Sequence, residues 1–328
     1  MTEPSRPNPG RLSRGARTPS RRIAILVLLG GIALAILAGA VLLGLDQPGA
    51  DEHREVAARE HPSQQTPEAM AALPEPGPVA DPLPAAAGSP APAPASAAGA
   101  LIMGEPFVER FGRADITDRW FMSDGWSNGP WMANDWRATE VEPGANGVTL
   151  HLRPAPAGSD YEMAGGEIRT HAFYKYGYFE VRMQAPSGSG IVTGMFTYAD
   201  RAKGLKPNEI DIEILGRAPR IAELTIHENG RATPKKIAMP FDSSDGMHTY
   251  GFDWQPNYVR WYADGQLIHE ETGPAARKLV RPQQLLISLW ASRKLSAWVG
   301  DLDASRAPWR LDIACVAYDR RYAGPLCG

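Results

Sequence analysis

Five consecutive residues, Glu209-Ile210-Asp211-Ile212-Glu213, alternate carboxylate and isoleucine without a break. Only an extended strand sorts such a run onto two opposite faces. Three acids then share one face, with side chains two apart separated by roughly 7 Å, while the isoleucines opposite demand a core. An ordinary exposed strand mixes in Lys or Thr rather than stacking like charges. The run is therefore either a solvated strand with acidic decoration or a buried-backed strand whose front holds coupled carboxylates. The second arrangement is the equipment of glycoside hydrolysis, which needs one ionised and one protonated acid. The five residues alone do not separate the two readings.

The 328-residue chain divides by composition into an unstructured first third and one globular block. Residues 1–22 carry Arg6, Arg11, Arg14, Arg17, Arg21 and Arg22 against Glu3 and are broken by prolines, which reads as a disordered basic arm. Residues 23–45 are uncharged and apolar, long enough as a helix to span a hydrocarbon core of about 30 Å. Arginines before this run and Asp46, Asp51 and Glu52 after it predict a single-pass inner-membrane protein, N-terminus in the cytoplasm and remainder across the bilayer. A cleaved signal peptide is the competing reading, but its apolar region is usually only about 7 to 15 residues. Residues 46–100 turn polar and then rich in Pro and Ala, as in Ala91-Pro92-Ala93-Pro94, and are expected to form a disordered, semi-extended tether.

The block 101–328 shows short β-type runs between turn residues and no long 3.6-residue apolar period. Phe179, Val181 and Met183 alternate with Tyr178, Glu180, Arg182 and Gln184, and Asp264-Gly265 sits between two such runs as a hairpin turn. Ile191–Tyr198 and Leu285–Trp290 are more continuously apolar, as central strands of packed sheets are. The expected fold is all-β: a sandwich of two antiparallel sheets with a concave face. The net charge of −3, without basic stretches interleaved with aromatics in this block, leaves nucleic-acid binding no electrostatic footprint.

Residues from about Phe107 to Tyr318 resemble glycoside hydrolase family 16, above all its lichenase-like β-glucanases and exopolysaccharide-cleaving branch. The resemblance is carried in order by Ser123–Gly129, Trp136-Arg137-Ala138, Tyr176–Val181, Gly190–Thr193, Asn208–Gly216, His248–Trp254, Trp261–Gly265 and Leu289-Trp290. It implies a β-jelly-roll with a substrate cleft, and a retaining mechanism in which Glu209 is the nucleophile, Glu213 the acid/base and Asp211 the carboxylate between them. It also implies glucan contacts from Asn128, Glu167, Arg169, Phe196, Tyr198, Trp290 and Trp298. Read from residue type alone, the two tryptophans could equally be core, and Glu167 with Arg169 a surface ion pair.

Departures from the lichenase pattern fall in the cleft: Pro207 replaces a Trp, His227 a Tyr, and Thr225 and Ser288 two Asn. His227 is a candidate to hydrogen-bond the acids or a substrate hydroxyl, with a structural histidine as the bland alternative. The lichenase-type disulfide has no counterpart, since its positions align with Asn134 and Met163. Cys315 and Cys327 are candidates for a replacement that ties down the C-terminal tail. No cofactor is implied to be required. Many relatives hold a structural calcium through a last-strand carboxylate, but the matching position is Ala314, with Asp312 nearby, which leaves that site in doubt; no residue is assigned as a metal ligand. The implied activity is endo-hydrolysis of a β-linked polysaccharide, a β-glucan or a succinoglycan-like exopolysaccharide. The rivals are a transglycosylase using the same residues and a noncatalytic carbohydrate-binding protein, the latter opposed by the three intact acids.

Overall fold

A computed structural model describes residues 101–112, 115–199 and 205–328. The basic arm 1–22, the apolar run 23–45 and the Pro/Ala-rich stretch 46–100 lie outside the described residues. Among the described residues, no helix is long and apolar enough to cross a membrane.

Among the described residues, seventeen strands follow in chain order: β1 (Phe107–Glu109), β2 (Trp120–Met122), β3 (Asn134–Trp136), β4 (Val141–Gly144), β5 (Gly147–Pro154), β6 (Met163–Gly165), β7 (Glu167–Thr170), β8 (Gly177–Gln184), β9 (Ile191–Tyr198), β10 (Asn208–Leu215), β11 (Ile221–Glu228), β12 (Arg231–Ala238), β13 (His248–Gln255), β14 (Tyr258–Ala263), β15 (Gln266–Glu271), β16 (Gln284–Ala291) and β17 (Trp309–Asp319). The helices are single turns, among them α1 (Pro274–Arg277) and α2 (Ser296–Val299). One sheet runs β12-β11-β10-β9-β16-β7-β2 and the other β15-β14-β13-β8-β17-β5-β6-β3, with β1 and β4 attached to β17 and β5. Every strand pair is antiparallel except β3 with β6, so the expected two-sheet sandwich is present. The pair β3·β6 also brings Asn134 and Met163 into direct register, without a covalent link.

Alternation explains how the sheets meet. On β10 the isoleucines Ile210, Ile212 and Ile214 point inward, in register with Thr197, Met195 and Thr193 of β9 and with Ile226, Leu224 and Ala222 of β11. Facing them across the core are Phe179, Val181 and Met183 of β8 with Tyr250, Phe252 and Trp254 of β13, all essentially buried. Trp261 of β14 reaches across and donates its indole N–H to the backbone carbonyl of Asp211 (3.2 Å). Each inward isoleucine removes a whole aliphatic side chain from water, about 1.5–3 kcal/mol apiece. That burial is what fixes the opposite face of β10.

The hairpin at Asp264-Gly265 joins β14 to β15, with both turn residues at positive φ (47° and 74°), as a tight turn of this kind requires. At the C-terminus the tail folds back on the outer face of the second sheet. There Cys315 of β17 and Cys327 form a disulfide with Cα atoms 5.7 Å apart. The backbone N–H groups of Leu326 and Cys327 donate to Oε1 of the buried Glu180 (2.9 and 2.6 Å). A buried carboxylate is thereby satisfied by the segment that the disulfide anchors.

Candidate active site

Because Ile210, Ile212 and Ile214 are committed to the core, Glu209, Asp211 and Glu213 must emerge together on the outer face of the seven-stranded sheet. Strand register places the rest. Glu209 lies between Tyr198 of β9 and His227 of β11, Asp211 between Phe196 and Thr225, and Glu213 between Gly194 and Glu223. Further out on β16 and β7, Ser288 is paired with Gly194 and Glu167, and Leu286 with Phe196 and Arg169. A cleft opens over this face, lined by the three acids with His227, Gly194, Phe196, Ser288, Trp290, Asn128, Trp131, Met132 and Trp136.

Glu209 and Asp211 are each only 3% exposed, whereas Glu213 is half-buried and the most open of the three. Oε2 of Glu209 is buried and makes no hydrogen bond within the protein. His227 Nε2 lies 3.1 Å from Oδ2 of Asp211, both side chains nearly inaccessible. Burial opposes the imidazolium, but the carboxylates of Asp211, Glu209 and Glu213 outweigh it and raise His227 to about 10. Burial raises the Asp211 carboxyl, with His227 pulling it back down. Burial and then the charge of Asp211 push Glu209 well above the ordinary carboxylate range, again moderated by His227. Glu213 is likewise raised well above that range, by burial and then by Asp211 and Glu223. Glu213 has a further carboxylate, Glu223, directly across the strand pair, while the imidazolium offsets charge on the Glu209–Asp211 side.

One ligand atom from each of Glu209, Asp211 and His227 lies within 4.8 Å of the others. In this structure the trio is held together by the contact between His227 and Asp211.

The other residues singled out in the sequence separate into two groups. Asn128, Phe196, His227 and Trp290 line the cleft. Asn128 is fixed there by the indole N–H of Trp136, which donates to its Oδ1 (2.8 Å), and Trp290 packs edge-on against Trp131 at 5.2 Å. Glu167, Arg169, Tyr198 and Trp298 stand behind or beside this lining. Glu167 is buried, accepts a 2.6 Å bond from the Ser123 hydroxyl, and is raised by burial to about 7 against the pull of Ser123 and Arg169. Arg169 lies over the ring of Phe121. Tyr198 is buried beside Glu209. Trp298, on α2, packs on Trp290 and donates its indole N–H to Oε2 of Glu223 (3.0 Å).

Sequence reasoning passed over Gly194, Glu223, Trp131, Met132 and Trp136. A glycine inside the apolar run of β9 was the available signal for the first. A side chain at Gly194 would start 3.3 Å from the Ser288 hydroxyl and fill the cleft beside Glu213. The Trp131–Trp136 wall comes from a segment pinned to β16 by Ala133 N–H to Ala291 O (2.8 Å) and Ala291 N–H to Asn134 Oδ1 (2.9 Å).

Comparison with known proteins places the sequence in a family. The family described as glycosyl hydrolases family 16 matches residues 128–308. A beta-glucanase of Bacillus amyloliquefaciens is 36% identical over 200 residues, covering 60% of this chain and 80% of that protein. Among solved structures, the Bacillus licheniformis beta-glucanase superposes with a TM-score of 0.61 at 33% identity, over 66% of this chain and 98% of that one. A prokaryotic beta-1,3-1,4-glucanase (lichenase) from a mouse hindgut metagenome gives 0.63 at 30% identity, over 66% and 100%. With the acids in register over a cleft and more than half of the sequence matched, this chain belongs to glycosyl hydrolases family 16 and is a glycoside hydrolase acting on O-glycosyl bonds.

Proposed function

We propose that the chain is a retaining endo-β-glycosidase that cleaves a β-linked polysaccharide by double displacement. The observation that carries the reading is the unequal setting of two carboxyls on one strand face: Glu209 beside an imidazolium-paired Asp211, and Glu213 opposite a further carboxylate. In the first step an oxygen of Glu209 attacks the anomeric carbon, the glycosidic C–O bond breaks, and the proton of Glu213 passes to the departing oxygen. In the second step Glu213 takes a proton from water as that water attacks the same carbon and releases Glu209. Asp211 and His227 hold the charge balance on the nucleophile side and do not bond to the sugar carbon in either step.

The relatives named as beta-glucanases support a β-glucan as the polymer class. The changes to Pro207, His227, Thr225 and Ser288 around the cleft support a different branch or decoration from mixed-linkage glucan, and an exopolysaccharide trimmed during export fits a chain with an apolar segment at residues 23–45. In this proposal that segment anchors the enzyme in the inner membrane and residues 46–100 tether the catalytic domain beyond it, in a compartment oxidising enough for the Cys315–Cys327 bond.

A panel of β-glucans and bacterial exopolysaccharides scored for new reducing ends tests the activity, with acceptor oligosaccharides added to separate hydrolysis from transfer. The chain should cut at least one polymer internally, and Glu209→Gln should abolish turnover while sugar binding survives. Undiminished hydrolysis by Glu209→Gln would refute its role.

A further inference from the structure

Glu223 is a carboxylate placed directly across the strand pair from another carboxylate. It sits on β11 directly opposite Glu213 in the antiparallel register, so the two Cβ atoms lie about 5 Å apart and like charges between them repel. Solvent does little to screen the Glu223 end of the pair, which is only 7% exposed. Its two partners are both donors on the same oxygen: the indole N–H of Trp298 at 3.0 Å and the ammonium of Lys236, on the edge strand β12, at 3.9 Å. That arrangement suits a carboxylate anion. A glutamine would accept the Trp298 bond equally well without opposing Glu213.

We propose that Glu223 is a positioning residue that holds the proton on Glu213, so that this strand-opposed carboxylate fixes the alkaline limit of catalysis. The inference rests on the acid role of Glu213 given above. The charged groups around Glu213 are few. From its own strand come Asp211 and, beyond it, Glu209; from β11 come Glu223 and His227; β9 contributes the uncharged Gly194; and Lys236 on β12 acts through Glu223. Of these, His227 is engaged by Asp211, so Glu223 is the anion whose removal changes the balance at Glu213 while leaving the imidazolium pair intact. The edge position of Lys236, half-exposed, makes it the counterweight: it shields Glu223 and thereby softens the repulsion.

The test titrates the Glu213 carboxyl by carbon-13 NMR in the full-length chain and in parallel follows kcat/KM against pH on whichever polymer of the β-glucan and exopolysaccharide panel is cut. Glu223→Gln should lower the Glu213 midpoint by about one pH unit, read as an alkaline limb displaced to lower pH and about tenfold less kcat/KM on that side, with the acid-side plateau kept. Glu223→Asp should recover most of the wild-type midpoint, and Lys236→Met should move it upward. A midpoint unmoved in Glu223→Gln would overturn the proposal and leave Glu223 as an anchor for Trp298. If Glu223→Gln does not fold, an unmoved midpoint in Lys236→Met overturns it instead. The NMR arm reads Glu213 whether or not the glucan is cut. Acid-limb activity that persists in Glu213→Gln would count against Glu213 as the acid, a separate failure from that of Glu223.

Discussion

Replacing Ile212 by alanine tests whether the buried back of β10 is what holds the acids in place. Ile212 is 1% exposed and lies in register between Met195 and Leu224, under the carbonyl that receives the Trp261 indole N–H one residue earlier. The substitution deletes three carbons from a closed core, a loss of about 2.4 kcal/mol at ~0.8 kcal/mol per group. The neighbours come from two hydrogen-bonded sheets and cannot collapse fully, so the residual cavity adds roughly 1–2 kcal/mol. The expected destabilisation is about 4 kcal/mol, read as a lower urea midpoint by tryptophan fluorescence at unchanged slope. Ile102→Ala, at a side chain 72% exposed, is the control and should stay within about 0.5 kcal/mol. A loss below about 1.5 kcal/mol for Ile212→Ala would mean that the isoleucine face is not packed as described, and the argument from packing to acid placement would fail with it.

Two further outcomes follow from other parts of the chain. His227 is raised in the folded chain to about 10 from an unfolded value near 6.5, so its pairing stabilises fully below about pH 6.5 and that contribution is lost as pH rises towards 10. Urea titrations across that window should find the stability lost in His227→Gln largest near pH 6 and shrinking on the alkaline side; a loss that grew with pH would contradict the ion pair. Removing the disulfide with Cys315→Ser and Cys327→Ser together opens a loop of sequence separation 12, which should cost about 3 kcal/mol; reducing agent should lower the thermal midpoint of the wild type and leave that of the double variant unmoved.

How much of this was legible in the sequence depends on whether a feature is local. The faces of β8 and β10 follow from strict alternation, because a side-chain period of two leaves an aliphatic row only one way to be buried. The Asp264-Gly265 turn is likewise local, set by residues that tolerate positive φ. The three acids were legible for the same reason, and the order of motifs around them gave the family.

Register between distant strands is written in no short stretch, and it decides what each acid faces. The sequence of β11 shows Glu223, Thr225 and His227 on one face, but not that Glu223 meets Glu213 while His227 meets Glu209. Those pairings turn on the length and geometry of the turn after Leu215. A shift of two residues would keep every hydrophobic side chain inside and still hand His227 to a different carboxylate. The same holds for Trp298, which the family resemblance marks as a glucan contact and the fold ties to Glu223. Which residues form the cleft is thus partly a matter of composition, but which carboxyl keeps the proton is a matter of register. The pairing of two like charges across β10 and β11 is where the chain's chemistry departs furthest from what its alternation alone would require.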